Sequence, residues 1–353
     1  MRDRETYTHK ESDAAVERTA VLKRSASWRR AASILSVLAV VSSGLIGLAA
    51  YSGGSAAYSG GSAAYAANPT VAFIYKLPNP YFIAMSAAVK QWAAQHHVHL
   101  IVSGGKTPSD VSGQIAAVQT AITEGAKAIE IAPEGVELTP TLARAVQQGI
   151  PVVLVDTDLP AFKAKTSYVG TDNYKGAFLA GKFIRARLKR GQQLAIESGI
   201  PGVPTLDQRV QGVKDALKGS SIKIVAELPT QCAQDTGVSV TRDVLTAHPH
   251  IQGIYSACSP PTFGALTVLA QRGMTHKLLF VSFDGAPQEY QDIEAGTLTA
   301  TVAQFPRKMG VIGLQLALKA AARKHVPKSV DAGQFVVSKA NVAKFCSPRC
   351  NWG

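Results

Sequence analysis

The sequence contains little charge and few cysteines for its length. Charged residues make up 17% of the 353 residues, hydrophobic residues make up 46%, and there are four cysteines. A disordered chain would be richer in charge and poorer in apolar residues, so disorder is excluded. Four cysteines are too few to replace a hydrophobic core, which excludes a disulfide-rich miniprotein. The chain is long enough for two lobes, each with its own core.

The sequence motifs of common catalytic and metal sites are also missing. It has no G-x-S-x-G nucleophile motif, no H-E-x-x-H zinc motif and no paired-cysteine metal motif. Residues 103–107 resemble a phosphate-binding loop, but Leu100 stands where that loop requires its first glycine. His96, His97 and His99 straddle a predicted helix end and strand start, so we expect surface histidines there. We therefore expect neither an enzyme nor a bound cofactor or metal ion.

Residues 1–66 are interpreted as a signal peptide followed by a spacer. A pair of arginines precedes an uncharged apolar run at residues 31–50, and residues 64–66 have the A-x-A pattern of a cleavage site. Cleavage is predicted after Ala66. Because twenty residues can also span a bilayer, an uncleaved anchor is the alternative. The first cysteine is Cys232, far from the cleavage region, which argues against a lipid anchor. An exported binding protein without a lipid anchor is expected in a compartment bounded by a second membrane, the periplasm.

After residue 69, strand-like and helix-like segments alternate along the chain. Short apolar runs rich in β-branched residues, such as residues 70–76 and 151–156, are typical of buried parallel strands. Between them, apolar residues recur at helical spacing, as in residues 80–95. Such alternation predicts parallel sheets with right-handed crossovers. Since the pattern begins again near residue 193, the sequence predicts two doubly wound α/β lobes.

Polar and aromatic residues stand where several predicted strands end. These residues are Asn79, Tyr81, Phe82, Asp156, Thr157, Asp284 and Gln304. Ligands of doubly wound sheets bind beyond the carboxyl ends of the strands. Carboxylates and amides bind hydroxyl groups, and aromatic rings cover the C–H faces of sugars. Each residue alone could be a turn cap or part of the core, but together they predict a small-molecule site.

Seven segments resemble, in the same order, the periplasmic sugar-binding proteins of the ribose/galactose type. The segments are NPYF at 79–82, the helix at 108–125 with its EGAKAIEIAP continuation, GIPVVLVD at 149–156, VGTDNYKGAFLAG at 169–181, LTAHPHIQGIYSA at 245–257, VSFDG at 281–285 and TVAQFP at 301–306. The family is related to the ligand-binding region of bacterial sugar repressors. The resemblance implies the type 1 fold of periplasmic binding proteins, which are the substrate-binding proteins of ABC transporters.

The resemblance also implies a ligand site shared by the two lobes. First-lobe contacts would come from Asn79, Tyr81, Phe82 and Asp156, and second-lobe or hinge contacts from Asp284 and Gln304. Three positions depart from the ribose type. Thr157 replaces an arginine, Asp207 stands at another arginine position with Arg209 two residues on, and Cys258 begins a segment that replaces Asn-Asp. Thr157, Arg209 and Cys258 therefore join the expected ligand-binding set, and ribose itself is not implied.

The family fold also implies the domain organisation. The expected parts are a signal peptide and spacer at 1–66, a first lobe at 67–172 plus 305–332, a second lobe at 173–304 plus 333–345, and a C-terminal tail at 346–353. The crossings between the lobes are expected near residues 171–173, 304–306 and 331–334.

The four cysteines of an exported protein permit three disulfide pairings. Cys232 and Cys258 each follow one of two successive predicted strands, so their loops should emerge at the same edge of one sheet. We expect a Cys232–Cys258 bridge and a Cys346–Cys350 bridge in the tail. Free, buried thiols are the alternative.

These features predict an exported solute-binding protein that captures a sugar or sugar-like ligand in an interlobe cleft and delivers it to an ABC importer. We expect a monomer whose partners are permease subunits, with membrane contact only through the transporter or an uncleaved anchor. A membrane-tethered ligand sensor is the alternative. A transcriptional regulator would need an N-terminal helix-turn-helix, which residues 1–66 do not resemble. The basic group at residues 182–190 is interpreted as a solvated helix end, so no nucleic-acid partner is expected.

Overall fold

The computed structural model describes residues 68–76, 79–106, 110–346, 350 and 352. The predicted signal peptide and spacer, including the apolar run at residues 31–50 and the cleavage point after Ala66, lies outside the described residues. Among the helices that are described, none combines the length and the apolar character needed to cross a membrane.

Strands and helices alternate through the described part of the chain. The strands are β1 (Thr70–Tyr75), β2 (His99–Gly104), β3 (Ala128–Ile131), β4 (Val152–Val155), β5 (Ser167–Gly170), β6 (Gln193–Ser198), β7 (Lys223–Pro229), β8 (Gly253–Ser256), β9 (Leu279–Asp284), β10 (Ala300–Ala303), β11 (Ser329–Asp331) and β12 (Phe335–Ser338). The α-helices are α1 (Pro80–Gln95), α2 (Val111–Thr123), α3 (Thr139–Gln147), α4 (Asn173–Arg185), α5 (Pro204–Leu217), α6 (Gln234–Ala247), α7 (Ser259–Gln271), α8 (Pro287–Ala295) and α9 (Pro306–Ala321).

The first sheet has six parallel strands in the order β11-β5-β4-β3-β1-β2. All residues of β3 and β4 are buried, because helices cover both faces of the sheet. This explains why these strands are continuous apolar runs rather than alternating patterns. Helices α1 and α9 pack on one face, and α2 and α3 cover the other.

The second sheet has the strand order β12-β10-β9-β8-β6-β7, in which only β12 runs antiparallel to its neighbour. Helices α4 and α5 cover one face, and α6, α7 and α8 pack on the other. Helices α4 and α5 approach closely at Gly212, where a Cβ atom would lie 2.4 Å from the carbonyl oxygen of Tyr174. Any larger residue there would force the two helices apart.

The predicted fold class, two parallel-sheet α/β lobes, is confirmed. One strand was not predicted from the sequence. Strand β11 has three residues, of which the first and third are exposed, and it lies at the edge of the first sheet. It therefore has no apolar pattern that could reveal it.

The chain passes between the two sheets three times. It crosses between β5 and α4, between β10 and α9, and between β11 and β12. Helix α4 packs against β9, β10 and β12 of the second sheet, whereas α9 packs against β3, β4 and β5 of the first. The segments between these elements are residues 171–172, 304–305 and 332–334. Short parallel connections of this kind are where a two-lobed protein bends.

Candidate ligand-binding site

Two aspartates occupy matching places in the two sheets. Asp156 directly follows β4 and Asp284 ends β9, and each of these strands is third from one edge of its sheet. Their φ angles are 63° and 110°. Backbone strain of this kind costs about 1–3 kcal/mol and persists where surrounding contacts fix the chain, which is typical of binding sites. The two strand ends therefore define the candidate site.

Asp284 is held by hydrogen bonds from three directions. Its Oδ1 accepts from Arg209 Nη1 at 2.8 Å and from Gln304 Nε2 at 2.7 Å, and its Oδ2 accepts from the Ser259 backbone N–H at 3.0 Å. Burial raises the pKa of Asp284, and the Arg209 guanidinium and the two amide donors oppose that rise. Because each carboxylate oxygen accepts about two hydrogen bonds, Oδ2 retains capacity for one more donor.

Arg209 supplies the positive charge of the second lobe. It lies on α5 and is 6% exposed, with its guanidinium carbon 4.0 Å from the centroid of the Phe283 ring. Its Nε donates to Asn173 Oδ1 and its Nη1 donates to the carbonyl oxygen of Ala257, both at 2.8 Å. The described residues offer no hydrogen-bond acceptor to Nη2. That nitrogen is therefore a donor that a ligand could use.

A lysine supplies the positive charge of the first lobe. Thr157, which stands where the ribose type has arginine, accepts a hydrogen bond from Lys76 Nζ at 2.9 Å and donates to Asp156 Oδ2 at 2.8 Å. Lys76 Nζ also lies 5.9 Å from the centroid of the Phe82 ring. At the ends of β1 and β4, a carboxylate and a cation of the first lobe are thus linked through a hydroxyl group. The cation comes from the end of β1 rather than from the residue after Asp156.

The start of α1 positions an aromatic pair beside these charges. Asn79 caps the helix, since its Oδ1 accepts from the Phe82 backbone N–H at 3.1 Å. Tyr81 and Phe82 are 9% and 7% exposed, and their ring centroids lie 5.1 Å apart in an edge-to-face arrangement. The Tyr81 hydroxyl donates to Met309 Sδ at 3.5 Å. The cap therefore fixes both rings in the first turn of the helix.

The charges of both lobes act on the same tyrosine. Burial raises the pKa of Tyr81 well above its ordinary value, and the negative charges of Asp156 and Asp284 raise it further. The charge of Asp156 also raises the pKa of Asp284. Both strand-end carboxylates therefore influence Tyr81, and Gln304 of a crossing segment donates to Asp284.

A disulfide bridge supports the second-lobe part of the site. Cys232 and Cys258 are joined, with their Cα atoms 5.8 Å apart. Cys258 is the N-cap residue of α7, and the next backbone N–H, that of Ser259, donates to Asp284. Cys258 is 3% exposed and its sulfur is in the bridge. The structure thus gives it a supporting place, behind the loop that reaches Asp284.

The second bridge lies in the C-terminal tail. It joins Cys346 to Cys350, and both sulfur atoms lie within 4.8 Å of a Glu294 carboxylate oxygen. This is the one cluster of potential metal ligands among the described residues, but its cysteines are oxidised and offer no thiolate.

Four contributing residues were not selected from the sequence. They are Lys76, Asn173, Ser259 and Trp352. Lys76 directly follows β1, so its strand-end position was an available signal. Asn173 and Ser259 reach the site only through contacts with residues far away in the chain. Trp352 packs edge-on against Tyr81, with ring centroids 5.1 Å apart, and no sequence pattern indicated this contact.

Comparison with known proteins identifies the family. A match to the periplasmic binding protein domain covers residues 71–325. The chain is 31% identical over 263 residues to the D-ribose/D-allose-binding protein of Pseudomonas aeruginosa, covering 72% of this chain and 82% of that protein. It is 30% identical over 264 residues to the D-allose-binding periplasmic protein of Escherichia coli, covering 72% and 85%.

Solved structures give the same result. A periplasmic solute-binding protein of an ABC transporter from Actinobacillus succinogenes 130z, with bound D-allose, is 29% identical to this chain. Its TM-score is 0.75, and the match covers 78% of this chain and all of that one. The fold and these matches agree, and the chain belongs to the family of periplasmic binding proteins of the ribose/galactose type.

Proposed function

We propose that the protein captures a sugar or sugar-like molecule between its lobes and delivers it to an ABC importer. The observation that carries this proposal is that Asp156 and Asp284 stand at the ends of matching strands in the two sheets, with Gln304 of a crossing segment bonded to Asp284. Carboxylates beside an aromatic ring match the hydroxyl groups and the C–H face of a sugar. The relatives that bind D-ribose and D-allose support the same ligand class.

The charge balance of the site favours a neutral ligand. At its strand end each lobe pairs a carboxylate with a cation, Asp156 with Lys76 through Thr157, and Asp284 with Arg209. A charged ligand would leave one charge of this arrangement without a counterpart in a poorly solvated cleft. A neutral polyhydroxylated ligand leaves both pairs intact and uses their remaining acceptors and donors.

Capture would proceed by closure of the lobes about the three crossing segments. A ligand that contacts only one lobe has no preference between the open and closed forms, whereas a ligand that bridges both lobes stabilises the closed form. The proposed ligand contacts are Asn79, Tyr81, Phe82, Asp156, Thr157, Arg209, Asp284 and Gln304, with Cys258 supporting the Ser259 loop. The proposed first lobe comprises residues 67–172 and 305–332, and the second comprises 173–304 and 333–345.

The protein would act after export, as a periplasmic monomer that passes its ligand unchanged to permease subunits. A membrane-tethered sensor built on the same module is the second candidate, favoured only by the apolar run at residues 31–50. N-terminal sequencing of the exported protein separates the two. A chain that begins at residue 67 supports the transporter component, and a chain that retains residues 31–50 supports the sensor.

The ligand class is tested by thermal-shift screening followed by calorimetry. The panel contains pentoses, hexoses and polyols, with sugar acids and amino acids as charged comparisons. We expect a neutral sugar to raise the melting temperature and to bind with one-to-one stoichiometry. A protein that responds only to charged compounds would contradict the proposed ligand class.

A further inference from the structure

The start of the C-terminal tail packs against the second lobe. Phe345 packs against Tyr290 of α8, with ring centroids 5.4 Å apart. Phe345, Cys346 and Cys350 all pack against the buried cluster formed by α6, α7 and α8. The sulfur atoms of the Cys346–Cys350 bridge lie within 4.8 Å of a carboxylate oxygen of Glu294 in α8. Phe345, Cys346 and Cys350 are therefore attached to the second lobe.

The end of the same tail contacts the first lobe. Trp352 is 7% exposed and belongs to the buried cluster that contains Tyr81 and Phe82. Its ring meets that of Tyr81 edge-on, with an interplanar angle of 87°. Since Trp352 follows Cys350 by two residues, their Cα atoms can be at most about 7 Å apart. Opening the lobes would therefore pull the tryptophan away from Tyr81.

We propose that Trp352 is a positioning residue for ligand capture, which holds the two lobes together by docking on the tyrosine that faces the ligand. The tail acts as a fourth connection, made by side-chain packing rather than by the backbone. Edge-to-face aromatic contacts and burial of an indole both favour the docked arrangement. The docked indole also contributes to the burial of Tyr81, which is 9% exposed.

The effect on affinity follows from the population of the closed form. Apparent affinity falls in proportion to the fraction of protein that is competent to hold the ligand. Removing an aromatic contact that exists only when the lobes are closed lowers that fraction. The loss should appear mainly as faster ligand dissociation, because the contact must break each time the lobes open to release the ligand.

The test compares Trp352→Ala, Trp352→Phe and the bridge variant Cys346→Ser/Cys350→Ser in the full-length exported protein. D-Allose and D-ribose serve as probes. We expect Trp352→Ala to weaken binding roughly threefold to tenfold with a matching rise in the dissociation rate. Trp352→Phe should restore most of the affinity, and the bridge variant should show an intermediate loss. Trp92→Phe, which alters a tryptophan of α1 away from the tail, is the matched control and should bind as wild type.

This inference rests on the proposed function, and a second measurement keeps the two separate. Small-angle scattering without added sugar should show a larger radius of gyration for Trp352→Ala than for wild type, whether or not either sugar binds. If neither sugar binds wild type, the scattering comparison still tests the tail proposal, and failure of the whole neutral panel would count against the proposed function alone. Unchanged scattering would overturn the tail proposal, and so would tighter sugar binding by Trp352→Ala, since the tail would then block the cleft.

Discussion

At the scale of the residue, Asp284 has both a structural role and a proposed ligand-binding role. Its Oδ1 is occupied by Arg209 and Gln304, and its Oδ2 has one acceptor position left. We expect Asp284→Asn to weaken sugar binding at least tenfold, since a hydrogen bond to a charged group contributes about 1.5–3 kcal/mol. Calorimetry measures this loss. Asp243→Asn, on the exposed face of α6, is the control, and an equal affinity for both variants would remove Asp284 from the site.

A second residue, Glu289, makes the stability of the fold depend on pH. Glu289 is fully buried at the start of α8, where it accepts hydrogen bonds from the Ala286 backbone N–H and the Thr301 hydroxyl. Burial, followed by the charge of Asp284, raises its pKa from 4.5 to about 8. The folded protein therefore keeps this proton at neutral pH, whereas the unfolded chain loses it. The stabilisation is complete below pH 4.5 and is lost as the pH rises to about 8.

Glu289→Gln tests this assignment because glutamine cannot lose a proton in this range. We expect the free energy of unfolding of the variant, measured relative to wild type, to increase as the pH rises from 4.5 to 8. The relative gain should reach several kcal/mol, since each pKa unit corresponds to about 1.4 kcal/mol. Denaturant titrations at several pH values give the comparison. Parallel pH profiles for the two proteins would show that Glu289 is already ionised in the folded state.

At the scale of the element, the packing of α4 on α5 aligns two site residues. Asn173 begins α4 and Arg209 lies on α5, and the helices meet at Gly212. A Cβ atom at Gly212 would lie 2.4 Å from the Tyr174 carbonyl oxygen, which cannot move without moving α4. We expect Gly212→Ala to lower the free energy of unfolding by about 1–3 kcal/mol and to weaken sugar binding severalfold. Gln211→Ala, on the exposed face of α5, should change neither quantity.

Melting curves and calorimetry on the same preparations distinguish the two effects of Gly212→Ala. A variant that is less stable but binds normally would show that Arg209 keeps its place when the helices separate. That result would contradict the proposed dependence of the site on the helix pair.

The order of strands and helices could be predicted from the sequence because buried parallel strands are short apolar runs. Residues 151–156, predicted as a strand, contain β4 (Val152–Val155), and Asp156 follows it as the strand-end argument requires. The hydrogen-bond network around Asp284 could not be predicted from the sequence in the same way. Arg209 reaches it across 75 residues of chain, and that distance is closed only by the packing of α5 on the second sheet.

The tail illustrates a second limit. Residues 346–353 have no periodic pattern, so no helix or strand can be predicted there. The contact of Trp352 with Tyr81 joins residues 271 positions apart and depends on how the two lobes are placed. Local propensity contains no information about such a contact, whereas a buried tryptophan in the structure makes it evident.

At the scale of the whole molecule, the contribution of each lobe to ligand affinity depends on the contacts made by the other lobe. Asp156 and Asp284 belong to different sheets, and a ligand must bind both to favour the closed form. Losing either carboxylate removes part of the driving force for closure. Once closure is lost, the ligand binds the open form through one lobe, and a second loss on the other lobe costs little more.

A double-mutant cycle measures this dependence. We expect Asp156→Asn and Asp284→Asn each to weaken sugar binding at least tenfold. The loss of affinity in the double variant should be much smaller than the product of the two single losses. The interaction term should be about 1–3 kcal/mol, because both changes remove the same closing step. Small-angle scattering should show a sugar-dependent contraction in wild type that each single variant diminishes. Additive losses would mean that the two carboxylates bind the ligand independently, in which case closure of the lobes would not be the source of affinity.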